Sequence, residues 1–343
     1  MKKVLCFAAA ALILFAGCQK TTVVYDNGGQ QEIAFFAVNK TATKAPVSNT
    51  TFPETYAMQV AAYLAAGDGV APGGRNYFDE TKFTKPNDGT YWTGGKYWPL
   101  SAATLNFIAV APEVASSGTG TPAITTTFGE TNTTAHTRIS YTIVSNNNTD
   151  QYDVMYATGT QTKTAGNAPT GQVGMTFEHA YSWLVFKFSK ASAAPEIIIK
   201  DITVNEVSCD GTLSVTVDNA DGTSGNFTAT PEWTGNTSGN LSVYHTADLT
   251  LSTTPTEFSN GLLVIPSDQM SKFVITYTIA GQEFTYTYTP NPAPTWDPGK
   301  KYIFNITMSP SLIEINPEVE KWDGDHNGDG DEDEEDDEDV NLN

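Results

Sequence analysis

Short stretches in which apolar and polar residues alternate recur through most of the chain. Phe273, Ile275, Tyr277 and Ile279 fall on one face of an extended segment, with Val274, Thr276 and Thr278 on the other. Ala280-Gly281-Gln282 then turns the chain into Phe284, Tyr286 and Tyr288, which alternate with Glu283, Thr285 and Thr287. A period of two on both sides of a glycine turn predicts a β-hairpin. The same period appears at Tyr56-Met58-Val60 and at Tyr302-Phe304-Ile306-Met308. Short apolar runs at 33–38, 105–111, 139–144, 183–188, 197–204 and 213–217 predict further strands. No window of twelve or more residues keeps a 3.6-residue period, so no helix is expected. Threonine on the alternate positions suits a pleated surface with one wet face. Many short strands joined by Gly, Pro, Asn and Asp turns predict an all-β chain of two tandem antiparallel β-sandwich domains. The stretch Gly159–Gly171 is the expected boundary, dividing the body into 33–170 and 171–322.

The ends of the chain read differently. Lys2 and Lys3 precede an apolar run from Val4 to Phe15 and then Ala16-Gly17-Cys18. A basic start and a short apolar stretch ending in small residues predict a secretory signal over 1–17. The run is too short for a membrane span, which takes about 20 apolar residues. Cys18 directly after Ala-Gly resembles a bacterial lipoprotein box, although Phe15 stands where Leu is usual. That resemblance implies acylation of the Cys18 thiol, with palmitate-type chains, and a polar tether over 18–32. The alternative is a plain secretory signal with an incidental cysteine. Cys6 and Cys18 belong to this segment, so Cys209 is the one thiol of the body and no internal disulfide is expected.

Charge singles out the other end. The chain carries 39 Asp and Glu against 18 Lys and Arg, a formal −21, which excludes a nucleic-acid footprint. Twelve of the acids follow Trp322, where no Lys or Arg occurs; the body is only moderately acidic. Residues 323–343 are therefore expected to be a disordered acidic tail. Within it Asp323, Asp325, Asn327, Asp329, Asp331 and Glu334 stand at the oxygen positions of a twelve-residue Ca2+ loop, with Gly328 at its turn. Gly330 replaces the usual apolar residue and no helix pattern flanks the loop. A solvated polyanion is the alternative.

Catalytic chemistry is not legible. His136, His179, His245 and His326 lack metal-ligand spacing, and His179, between Phe177 and Tyr181, reads as a hydrogen-bonded structural residue. Cys209 has no base nearby in sequence. No phosphate-binding glycine loop or nucleophile elbow occurs. A non-enzyme is expected. The Trp and Tyr cluster at 91–98 reads as core, with a sugar-binding platform as its alternative.

Four strings carry a family resemblance. They are Tyr91-Trp-Thr-Gly-Gly-Lys-Tyr-Trp-Pro99 with Leu105-Asn-Phe-Ile-Ala-Val-Ala-Pro112, Asp153-Val-Met-Tyr-Ala157, Met175-Thr-Phe-Glu-His-Ala-Tyr-Ser-Trp-Leu-Val-Phe186, and Trp296-Asp-Pro-Gly-Lys-Lys-Tyr-Ile-Phe-Asn-Ile306. In this order, behind the lipoprotein box, they resemble the fimbrillin family of Bacteroidetes surface lipoproteins. The resemblance implies transthyretin-like, Greek-key sandwiches and a fimbrial subunit precursor, lipidated at Cys18 and displayed on the outer membrane for adhesion. Assembly with other fimbrial subunits would follow removal of an N-terminal strand, its place taken by a strand of the next subunit. Ile33–Val38 matches the removable strand. Thr43-Lys44-Ala45-Pro46 matches a processing site that is usually Thr-Arg-Ala, and Leu312–Trp322 matches the donor. Lys44 for Arg departs from the family. The competing function is a monomeric surface lipoprotein binding glycans or host ligands through exposed aromatics.

Overall fold

The computed structural model describes residues 31–38, 52, 54–64, 75–87, 89–100, 103–113, 125–127, 134–142, 151, 153–163, 172–218, 228–266, 272–291 and 295–322. Regular structure among the described residues is entirely β, in three sheets. With strands numbered along the chain, the first sheet runs β3 (Arg75–Phe83), β2 (Met58–Leu64), β5 (Ala103–Ala111), β8 (Met155–Lys163), β9 (Val173–His179), β1 (Glu32–Val38) and β4 (Trp92–Tyr97).

That sheet curls until its ends meet. Thr84, just past β3, donates to the Thr93 carbonyl at 3.1 Å, and Thr93 donates back at 3.0 Å. The approach requires glycine at position 94, where a Cβ would lie 2.8 Å from the Lys82 carbonyl and 2.9 Å from the Phe83 ring. Opposite walls then face each other across Phe35, Phe78, Phe83, Trp98, Phe107 and Phe177. With its ends joined, the sheet offers few open hydrogen-bonding edges.

The second sheet runs β17 (Gln282–Tyr288), β16 (Lys272–Ile279), β11 (Ile197–Asp218), β7 (Thr134–Thr142) and β6 (Thr125–Thr127). Two strands, β12 (Thr228–Ser242) and β13 (Leu249–Thr250), also pair with β11. The third runs β14 (Thr256–Glu257), β10 (Ser182–Lys190), β18 (Lys300–Met308) and β19 (Ile313–Lys321), with β15 (Leu262–Val264) also on β10. These two sheets face each other: Phe273 of β16 meets Phe186 of β10 at 5.2 Å and Phe304 of β18 at 5.1 Å.

All nine residues of β5 are buried, which alternation with a wet face does not anticipate. Leu105, Phe107, Ala109 and Ala111 enter the aromatic core of the first sheet. Ile108 and Val110 point the other way, joining Ala61, Tyr63 and Tyr156 in the core shared with the second and third sheets. A sheet covered on both faces gives continuous apolar strands.

Pairing crosses the expected 170/171 division in both directions. β9 lies between β8 and β1 of the first sheet, while the β6–β7 hairpin, encoded between β5 and β8, extends the second sheet along β11. Gly159 sits inside β8, where a Cβ would come within 2.6 Å of Met175 Sδ. Side chains tie the halves further. The Gln151 amide donates to the Leu263 carbonyl at 2.8 Å and accepts from the Leu263 N–H at 2.9 Å, so one side chain completes a strand edge.

Candidate functional site

β1 is the segment whose position is hardest to explain by folding alone. It is the first strand among the described residues, yet both its neighbours lie far along the chain. It runs parallel to β9, pairing Phe35 with Val173, Phe36 with Gly174 and Ala37 with Met175. On its other side it runs antiparallel to β4, with Ala34 opposite Thr93 and Phe35 opposite Trp92, and a register shift at its start. Just before the strand, the Gln31 carbonyl accepts from Trp98 N–H at 2.8 Å, and Glu32 Oε1 accepts from Gly95 N–H at 3.0 Å.

Alternation decides which side chains hold it. Ile33 and Phe35 are fully buried and Ala37 nearly so, whereas Phe36 is 48% exposed on the outer face. The Phe35 ring stands edge-on between Phe83 of β3 at 4.8 Å and Phe107 of β5 at 5.2 Å. β1 is thus a central strand, bonded on both edges and anchored by one ring. The other strands of the sheet all follow β1 in sequence, so a cut after Val38 would sever its covalent tie to them.

The proposed donor stretch is also ordered. Residues 313–321 form β19, antiparallel to β18 from Lys300–Lys321 to Met308–Ile313, at the end of the third sheet. Ile313, Ile315 and Val319 rest half-buried on the core, while Glu314, Asn316, Glu318 and Glu320 face solvent. Trp322 closes the strand. Its N–H donates to the Gly299 carbonyl at 3.0 Å, and its ring stacks on His179 at 4.1 Å with an interplanar angle of 2°.

His179 has the structural character its flanks predict, with a partner the sequence does not reveal. Its Nδ1 lies 3.0 and 2.9 Å from the two carboxylate oxygens of Asp153, and both side chains are wholly buried. A carboxylate only accepts, so Nδ1 carries the proton. The available signal for Asp153 is an acid set in the apolar string Tyr152-Asp-Val-Met-Tyr156. Asp153, His179 and Trp322 thereby connect the start of β8, the end of β9 and the end of β19. Replacing Trp322 by alanine should raise amide exchange across 313–321 by about tenfold while leaving β1 protected, because opening is local to the strand that loses its anchor.

The aromatic cluster at 91–98 is core. Trp98 is 1% exposed, and Trp92 is 3% exposed with its indole N–H donating to the Tyr56 carbonyl at 3.0 Å. Neither tryptophan can serve as a sugar platform. His245 sits against Phe258 at 4.6 Å. The half-buried Cys209 thiol donates to the Val207 carbonyl at 3.6 Å, and Gly239 leaves room for its sulfur. No group of acids, histidines and cysteines able to hold a metal occurs among the described residues. Several buried tyrosines are held above their ordinary acidity range. Burial carries Tyr302 to about 12, and burial with the Glu178 carboxylate raises Tyr156 further, so these phenols stay neutral at physiological pH. Cys18, Lys44 and the tail residues Asp323, Asp325, Asn327, Asp329, Asp331 and Glu334 lie outside the described residues.

Comparison with known proteins follows this geometry. A family model described as fimbrillin-like matches residues 27–322. A fimbrial protein from Bacteroides vulgatus ATCC 8482 shares 16% identity at a TM-score of 0.57, over 85% of this chain and 99% of that one. Candidate cell adhesion proteins from Bacteroides uniformis ATCC 8492 and Bacteroides ovatus ATCC 8483 share 17% and 15% identity, each at a TM-score of 0.48. They cover 85% and 86% of this chain and 99% of their own. Among curated proteins none matches.

Proposed function

The chain belongs to the fimbrillin-like family, and from that premise we propose that it is the precursor of a fimbrial subunit that joins its neighbours by strand exchange at the seat of β1. Export follows the signal over 1–17, an acylated Cys18 anchors the precursor at the outer membrane, and cleavage at or near Lys44 frees β1 from the body. The released strand leaves behind the unpaired edges of β4 and β9 and the hole filled by Phe35. A strand from another subunit then restores both, with main-chain hydrogen bonds giving affinity and the hole giving register.

The supporting observation is that β1, the first strand among the described residues, is bonded on both sides, to β4 over Glu32–Phe35 and to β9 over Phe35–Val38. A strand that contributes this much to the core, yet depends on one connection, is suited to replacement. The test is exchange in a chain carrying an engineered protease site between residues 39 and 47. After cutting, an isotope-labelled copy of residues 31–38 should replace the resident strand, while the uncut chain takes up none. A cut chain that retains its original strand indefinitely at mild denaturant, without uptake, rules the reading out.

A further inference from the structure

Resting on that reading, we infer that the seat of β1 selects a strand from a different protein, one with a large aromatic ring at the Phe35 position and no proline, and rejects the last strand of a second copy of this chain. The selecting element is the wall around Phe35. Phe83 and Phe107 meet its ring at interplanar angles of 82° and 85°, so the hole is shaped for a flat ring seen edge-on from two sides. Two residues further, Ala37 is buried at 5% exposure and calls for a small side chain. The inward row is therefore apolar, aromatic, small.

β19 does not carry that row. Its inward residues are Ile313, Ile315, Pro317 and Val319, with no ring among them. Every register that keeps three inward positions within β19 puts Pro317 into the seat, whichever way the strand runs. Shifting by one residue instead turns Glu314, Glu318 or Glu320 inward, which buries a carboxylate without a partner.

Proline is the second disqualification. Where β1 is paired, with β4 over Glu32–Phe35 and with β9 over Phe35–Val38, a proline whose nitrogen faces that neighbour leaves one of its carbonyls unmet. In its present place Pro317 costs no such bond when its nitrogen faces the free edge, because β19 ends its sheet. Charge acts in the same direction. Twelve acids follow Trp322 directly, and a second copy would bring them against a chain whose formal charge is already −21. The seat thus fits an accessory or terminal partner rather than a homopolymer.

Peptide exchange into the cut full-length chain tests this, with three fluorescent probes: residues 31–38, residues 312–322, and residues 312–322 carrying Ile315→Phe and Pro317→Ala. The first should bind, the second should bind at least about tenfold more weakly, given an underfilled ring site and one unmet hydrogen bond. The doubly substituted probe should recover most of the difference. Binding of the native 312–322 probe within about threefold of the first overturns the inference while leaving strand exchange intact. Failure of the 31–38 probe to bind removes the seat itself, and both readings with it.

Discussion

Phe35→Ala lowers stability by about 3–5 kcal/mol, the usual cost of deleting a fully buried ring from a packed core. The loss has two sources. The ring's apolar surface no longer leaves water, and the space between Phe83 and Phe107 cannot collapse, because both belong to strands locked in a closed sheet. Phe36→Ala, one residue along, changes stability by no more than about 0.5 kcal/mol, since that ring is already half in solvent. Urea unfolding of the two variants reads the difference directly. Equal losses at 35 and 36 would mean that the strand's register is not the one described.

Asp153→Ala comes next in size, at about 3 kcal/mol, because it leaves the His179 N–H in a dry interior without an acceptor. Asp153→Asn retains an oxygen at the same place and should cost about 1 kcal/mol. The damage should spread beyond the pair. His179 supports the face of Trp322, so amides of 313–321 exchange faster in Asp153→Ala even though residue 153 lies outside β19. Unfolding measured beside exchange separates this from general loosening: a uniform rise across all three sheets would contradict the linkage.

Which features were readable in the sequence depends on how local their causes are. The β16–β17 hairpin was legible because alternation and turn lie within seventeen residues; Ala280 and Gly281 supply the two positive φ angles, 49° and 81°. The strand at 33–38 was legible as an apolar run. Its parallel pairing with β9 was not, since nothing near residue 35 encodes a partner near residue 175. The runs at 197–204 and 213–217 read as two separate strands, yet β11 passes through both and the residues between them without stopping. The β11–β12 pairing accommodates the irregularity through register shifts at 205/207, 208/210 and 210/212, a tertiary solution that no local pattern displays. Likewise β5 is apolar on both faces because a second half of the protein covers it. His179 was recognisable as a bonded histidine; Asp153, 26 residues earlier, was not.

On the proposed strand exchange, the departure of β1 is the step on which assembly depends, and a disulfide can forbid it. Phe36 and Gly174 are opposed across the β1–β9 pairing, and a Cβ at Gly174 meets no atom within 4 Å. Paired parallel neighbours lie about 5 Å apart, within disulfide reach, so Phe36→Cys with Gly174→Cys should bond without distorting the sheet. The measurement is the fraction of this double variant found in fimbriae sheared from displaying cells. Strand exchange predicts normal surface delivery and exclusion from the fimbriae, with entry restored by mild reductant and retained in each single-cysteine variant. Incorporation of the bonded variant at the level of the unsubstituted chain would contradict it.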